Sequence, residues 1–158
     1  MANIHSIVYQ PTEQEYDERQ DQFMRIPIEE AELIEGFGMK GDAKSGHNPN
    51  RQLNLISTAW LKRMGANGYK TKPGDFGEQM TLDGLAVEDL TPGDRLQLGD
   101  AAQIEITKAR TGCTRLELVQ GQIDEAADGA IGMLAKVVVS GTIHVGDEVR
   151  VIEAVPGN

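Results

Sequence analysis

The chain contains a single cysteine in 158 residues, which excludes an intramolecular disulfide framework and a zinc site of the CxxC kind. Hydrophobic residues make up 39% and aromatic residues 4%, and no apolar run approaches the roughly 20 residues needed to cross a bilayer. No membrane partner is therefore expected. The amino terminus lacks the charged and then apolar layout of a secretory signal. Together with the scarcity of cysteine, this points to a soluble protein of the reducing cytoplasm. Positive charge is also in short supply: the formal net charge is −10. Nucleic-acid binding is disfavoured, because backbone affinity comes from neutralising phosphates with Lys and Arg. No repeat, low-complexity tract or linker divides the sequence. Residues 1–158 are expected to form one domain, burying about 68–70% of the surface the unfolded chain exposes.

The charge is unevenly distributed. Residues 1–36 hold nine acidic and two basic side chains, residues 37–72 one acidic and seven basic, and residues 73–158 fifteen acidic and six basic. The middle third is a cationic island able to focus an anionic small ligand. Lys62 and Arg63 fall in the short helix expected over residues 57–65, where a solvated face explains them equally well, and Lys70 and Lys72 flank a Pro73-Gly74 turn. Lys40, Lys44 and Arg51 instead frame a glycine-rich loop.

Short alternating runs dominate the remainder. Strands are expected at residues 4–9, 26–28, 31–34, 51–56, 79–82, 95–98, 102–108, 133–139 and 148–152. Residues 11–22 read as a polar loop or short helix, and residues 115–119 as a helical turn. Asp83-Gly84, Pro92-Gly93-Asp94, Gly99-Asp100, Ser140-Gly141 and Gly146-Asp147 supply turn signals between them. Many short strands separated by such turns indicate a mostly β protein, a closed barrel or a sandwich, with few helices. Trp60 and Met64, four apart on the helix, are expected in the core.

Three loops are candidate walls of a site. Residues 41–52 combine glycines, which permit an anion-binding nest of amides, with Lys44, His47 and Arg51. The loop lacks the Gly-Lys-Ser end of a Walker motif, so nucleotide hydrolysis fits poorly. Residues 72–79 place Gly74 and Gly77 around Phe76; there Asp75 and Glu78 are either an acid–base pair or turn caps. The third loop, Arg110-Thr111-Gly112-Cys113, follows a strand. Arg110 would favour the thiolate of Cys113, the form that ligates soft metals and attacks or carries sulfur. An inert, buried cysteine is the competing reading. His5 and His144, without ligand-spaced partners, read as structural or surface residues.

In order and spacing, Gly41-Asp42, Arg51-Gln52, Pro73-Gly74-Asp75-Phe76-Gly77-Glu78, Gly93-Asp94-Arg95-Leu96 with Gly99, Cys113 and Val145-Gly146-Asp147 resemble the MOSC domain, the family named for the carboxy-terminal domain of molybdenum cofactor sulfurases. The resemblance runs from about residue 28 to 152 and is to the small stand-alone bacterial type. It implies a MOSC-type β-barrel with a few short helices, binding molybdenum cofactor (molybdopterin), with Cys113 as metal ligand and catalytic group. Lys44, His47, Arg51, Gly77, Glu78, Arg110 and Thr111 are the implied cofactor contacts. The implied reaction is reduction of an N-hydroxylated small-molecule substrate. One alternative is a sulfur carrier holding a persulfide on Cys113, partnered by a desulfurase or a sulfur acceptor protein. Another is an anion- or cofactor-binding module without turnover. Pyridoxal phosphate is not expected, since no lysine site for it is evident. Lys44 stands where many small members have histidine; a permanent charge suits phosphate but cannot shuttle protons near neutrality. Gln79 replaces a common asparagine.

Overall fold

The computed structural model describes residues 1–11, 25–110, 120 and 131–152. Eleven strands run through them: β1 Asn3–Tyr9, β2 Ile26–Ile28, β3 Glu30–Ile34, β4 Gly38–Met39, β5 Leu53–Ser57, β6 Met80–Asp83, β7 Arg95–Leu98, β8 Ala102–Arg110, β9 Gly132–Val139, β10 Gly141–His144 and β11 Val149–Ile152. The α-helix α1 Thr58–Ala66 and a 3-10 turn, Val87–Asp89, accompany them. With 47% strand against 11% helix among the described residues, the class is mostly β, as expected.

Eight strands form one sheet in the order β11-β7-β8-β9-β5-β6-β1-β2, and β10-β3-β4 form a second. The expected closure into a barrel is not found. Among the described residues, β11 and β2 are the edges of the large sheet, and no ladder joins them. Among the described residues, an antiparallel bridge joins Asn3 of β1 to Glu148, just before β11. It is flanked by Ile4 N to Asp147 O at 2.9 Å and Gly146 N to Ile4 O at 2.8 Å. The reason is local: Gly146, at φ 95°, turns the chain past β1 for a few residues before it pairs with β7.

Alternation produces the main core. Leu96 and Leu98 on β7, and Ala102, Ile104 and Ile106 on β8, point inward at every second position, and Ile4, Leu33, Leu55, Met80 and Ala135 join them. Strands β5 and β6 are parallel, so the chain between them must cross over, and that crossover carries α1 and the loop of residues 70–79. Ser57 caps α1 by accepting the Trp60 amide at 3.1 Å, and its hydroxyl donates to Glu88 at 2.8 Å. Trp60 and Met64 are buried, while Lys62 and Arg63 are exposed, the solvated-face reading of that part of the island. Beneath the helix a second core gathers Ile56, Trp60, Met64, Tyr69, Phe76 and Ile131. Its centre is Phe76, edge-on to Trp60 at 4.8 Å between centroids and stacked on Tyr69 at 5.8 Å. Among the described residues no helix is long and apolar enough to cross a membrane. The loop or helix read at residues 11–22, beyond Pro11, and the turn read at 115–119 lie outside the described residues.

Candidate anion-binding site

The loops at residues 41–52 and 72–79 meet where β1 ends and β5 and β6 begin. Asp42 is buried and joins them: its Oδ1 accepts the Gln10 amide at 3.0 Å, and its Oδ2 accepts Gln79 Nε2 at 2.9 Å. Gln79 also accepts the Asn54 amide at 2.7 Å, locking the first residues of β5 and β6 together. The longer amide at this position thus spans two elements. Over residues 42–46 most of the loop amides are engaged within the protein. The amides of Asp42, Ala43, Ser45 and Gly46 donate to protein carbonyls.

In the second loop both carboxylates cap turns. Asp75 Oδ2 accepts the Lys72 amide at 2.8 Å, and the buried Glu78 accepts Gly74 N at 2.7 Å and Phe76 N at 3.1 Å. An acid–base pair is not what this geometry provides. Gly74 and Gly77 adopt φ of 90° and 72°. A β-carbon on Gly74 would also fall 2.4 Å from Arg25 Cβ, so glycine is required there for space as well as conformation.

Strand β8 delivers Arg110, which is buried and donates from Nη1 to the Phe76 carbonyl. This contact draws the beginning of the third loop against the second. Thr111 and Cys113 lie outside the described residues. Beyond them, the buried Gln120 clamps the second loop: its Oε1 accepts Lys70 N at 2.7 Å, and its Nε2 donates to Lys70 O at 3.1 Å and Asp75 O at 3.2 Å.

Electrostatics define the centre of the site. Lys44 keeps an exposed flank, yet partial burial of its ammonium group and the charges of Arg25, Arg51 and Arg110 hold its pKa below the usual lysine value, while Asp42 opposes them. Three arginines thus act on one lysine electrostatically, and one carboxylate opposes them. Glu78 behaves oppositely: burial pushes its carboxyl up, and the Gly74 and Phe76 amides and Arg110 pull it back. Gly77 contributes its carbonyl, which receives Arg25 Nη2 at 3.4 Å. His47 is exposed and sits over a small hollow lined by Phe37, Gly46 and Gln52. His5 is exposed on β1, and His144 is an exposed partner of Glu30 at 2.9 Å. Among the described residues no group of three His, Cys, Asp or Glu side chains could hold a metal ion.

Sequence reasoning missed Arg25 and Gln120. Arg25 sits in the acidic first third, outside the island, and reaches its partner Gly77 across 52 residues; Gln120 reaches Lys70 across 50. Nothing in their local sequence marks either.

The sequence model of the MOSC domain matches residues 42–150, and the chain belongs to the MOSC domain family. No protein with curated function matches it by sequence. Its fold is similar to that of the YuaD protein from Bacillus subtilis, at 16% identity and TM-score 0.76, covering 98% of this chain and 97% of that one. It is also similar to YiiM from Geobacillus stearothermophilus, at 20% identity and TM-score 0.74, covering 99% and 78%. YiiM from Escherichia coli is similar at 21% identity and TM-score 0.67, covering 98% and 71%.

Proposed function

We propose that this MOSC domain binds molybdenum cofactor and uses it to reduce N-hydroxylated small molecules in the cytoplasm. The observation that carries the reading is that Arg110 and Arg25 are held on consecutive carbonyls of one loop, while they and Arg51 act electrostatically on Lys44 against Asp42. A cofactor bearing a phosphate fits that donor set, since guanidinium groups grip phosphate through charge-assisted bonds and Lys44 adds a compact charge. Arg110 and Arg51 would hold the phosphate, and Lys44 would complete its charge. Cys113, a few residues beyond Arg110 in sequence, would supply the thiolate ligand; the described residues offer no competing metal-binding cluster. When bound, the metal centre supplies the two-electron redox chemistry. The protein's own part is to orient the anionic end of the group and keep it in register with the cysteine.

Family membership equally permits a sulfur carrier, with Cys113 receiving sulfur from a desulfurase. Metal analysis separates the two. Protein made in a host that synthesises the cofactor should carry molybdenum at close to one atom per chain, and Cys113→Ser should abolish its retention, because a neutral hydroxyl is a hard, poor donor. Wild-type protein that holds no molybdenum yet accepts sulfane sulfur at Cys113 would establish the carrier instead.

A further inference from the structure

Glu78 was expected as a ligand contact, yet both its oxygens are already engaged. Oε2 accepts the Gly74 amide at 2.7 Å and Oε1 the Phe76 amide at 3.1 Å, with the residue only 1% exposed. These bonds act on a loop whose next two carbonyls hold arginines. Phe76 O receives Arg110 Nη1, and Gly77 O receives Arg25 Nη2 at 3.4 Å. The loop is fastened again by Gly77 N to Gly74 O at 2.8 Å and by the fully buried Phe76 ring. Fixing the amides of residues 74 and 76 therefore anchors the backbone immediately before the peptide planes that present both carbonyls, and Gly77 N, bonded to Gly74 O, shares its plane with the Phe76 carbonyl. A guanidinium is a rigid planar fork, so fixing one N–H also limits the directions of the others.

We propose that Glu78 is a positioning residue: its carboxylate holds the loop that aims Arg110 and Arg25 toward the anion beside Lys44. The assignment rests on the anion-binding reading above for its purpose, though not for its geometry. Only a carboxylate serves at this position. A glutamine of the same size has one accepting oxygen, and its amide nitrogen would face a second N–H donor. Leaving a buried loop amide without its acceptor loosens the loop.

The test uses Glu78→Gln at a temperature where near-ultraviolet circular dichroism shows the fold intact. Two readouts are taken. Nitrogen-15 spectra of arginine side chains report whether the Arg25 and Arg110 guanidinium groups are ordered, and calorimetry with pyrophosphate reports anion affinity. The expected result is well-resolved guanidinium signals in the wild type that broaden or collapse in Glu78→Gln, with pyrophosphate binding weakened about tenfold. Glu78→Gln added to Arg25→Gln and Arg110→Gln together should bind no more weakly than that pair alone, because all three changes remove one device. Unchanged guanidinium signals, or losses that simply add, would overturn the proposal. If the wild type ignores pyrophosphate while the signals still collapse in Glu78→Gln, positioning stands and the anion-binding reading falls. Should Glu78→Gln fail to fold, Glu78→Asp, which keeps the charge but withdraws it by one methylene, is read by the same criteria.

Discussion

Lys44 shows at the scale of one residue how binding competes with stability. Partial burial and then the charges of Arg25, Arg51 and Arg110 lower its pKa from 10.5, and Asp42 only partly compensates. Between that lowered folded value and 10.5 the unfolded chain binds more protons than the folded one, so stability rises with pH across the alkaline window. Below the window the lysine is charged in both states, and its crowding is a standing cost. Lys44→Gln should therefore leave the melting temperature at pH 7 unchanged or higher, flatten the alkaline rise, and weaken pyrophosphate binding about tenfold. Melting scans from neutral to alkaline pH check this, and a clear loss of stability at pH 7 would show that the lysine is not under repulsion. Lys44, Arg51 and Arg110 were legible in sequence because each sits beside a glycine-bearing loop. Arg25 and Gln120 were not, since their contacts are made with loops about fifty residues away.

At the scale of elements, alternation exposed most strands within a residue or two, and their errors have physical causes. Strand β8 extends to Arg110 because Ala109 and Arg110 still pair with Met133 and Gly132 after the apolar alternation has stopped. Strand β10 was not expected, because its opening Ser140-Gly141 reads as a turn and it buries only Ile143. The glycine is there for clearance: a β-carbon would lie 2.6 Å from Ala102 N. Barrel closure was not decided by the strands at all but by a turn at Gly146. Among the site's supports, Gln120 is an element-level device, a side chain that mimics a strand neighbour for the backbone of Lys70. Gln120→Ala should strand buried loop groups at about 1–3 kcal/mol each where they stay dry. Hydrogen exchange should accelerate over residues 70–77 while the amides of β8 and β9 keep their protection. Uniform acceleration throughout would mean that the clamp holds the whole fold rather than the loop.

For the whole molecule, β1 is the joint between distant parts of the chain. It pairs with β6 along four positions and meets Asp147 and Glu148 at the other end of the sheet. Ile4 lies fully buried at that joint. Ile4→Ala should cost about 2–5 kcal/mol in urea titration, the range for a large-to-small change in a packed core. Because such long-range pairing closes after local contacts form, the loss should appear mainly as faster unfolding, with refolding little changed. A refolding rate that falls in proportion to the lost stability would place β1 in the nucleus instead.

The pairing of β3 with β10 carries a consequence for the growing chain. Glu30–Ile34 can pair early with Gly38–Met39 along two positions, but its other edge finds its partner only when Gly141–His144 has been made, more than a hundred residues later. At roughly 5–20 residues per second, a nascent chain holds that edge uncovered for about 5–20 s. During this interval the strand's apolar positions, Ala31 and Leu33, are available to any other exposed edge. Glu30, Glu32 and Glu35 alternate with or follow them, so two nascent copies meeting edge to edge would bring like charges together. The acidic residues around β3 therefore protect the chain at the ribosome, before the fold that buries their neighbours exists.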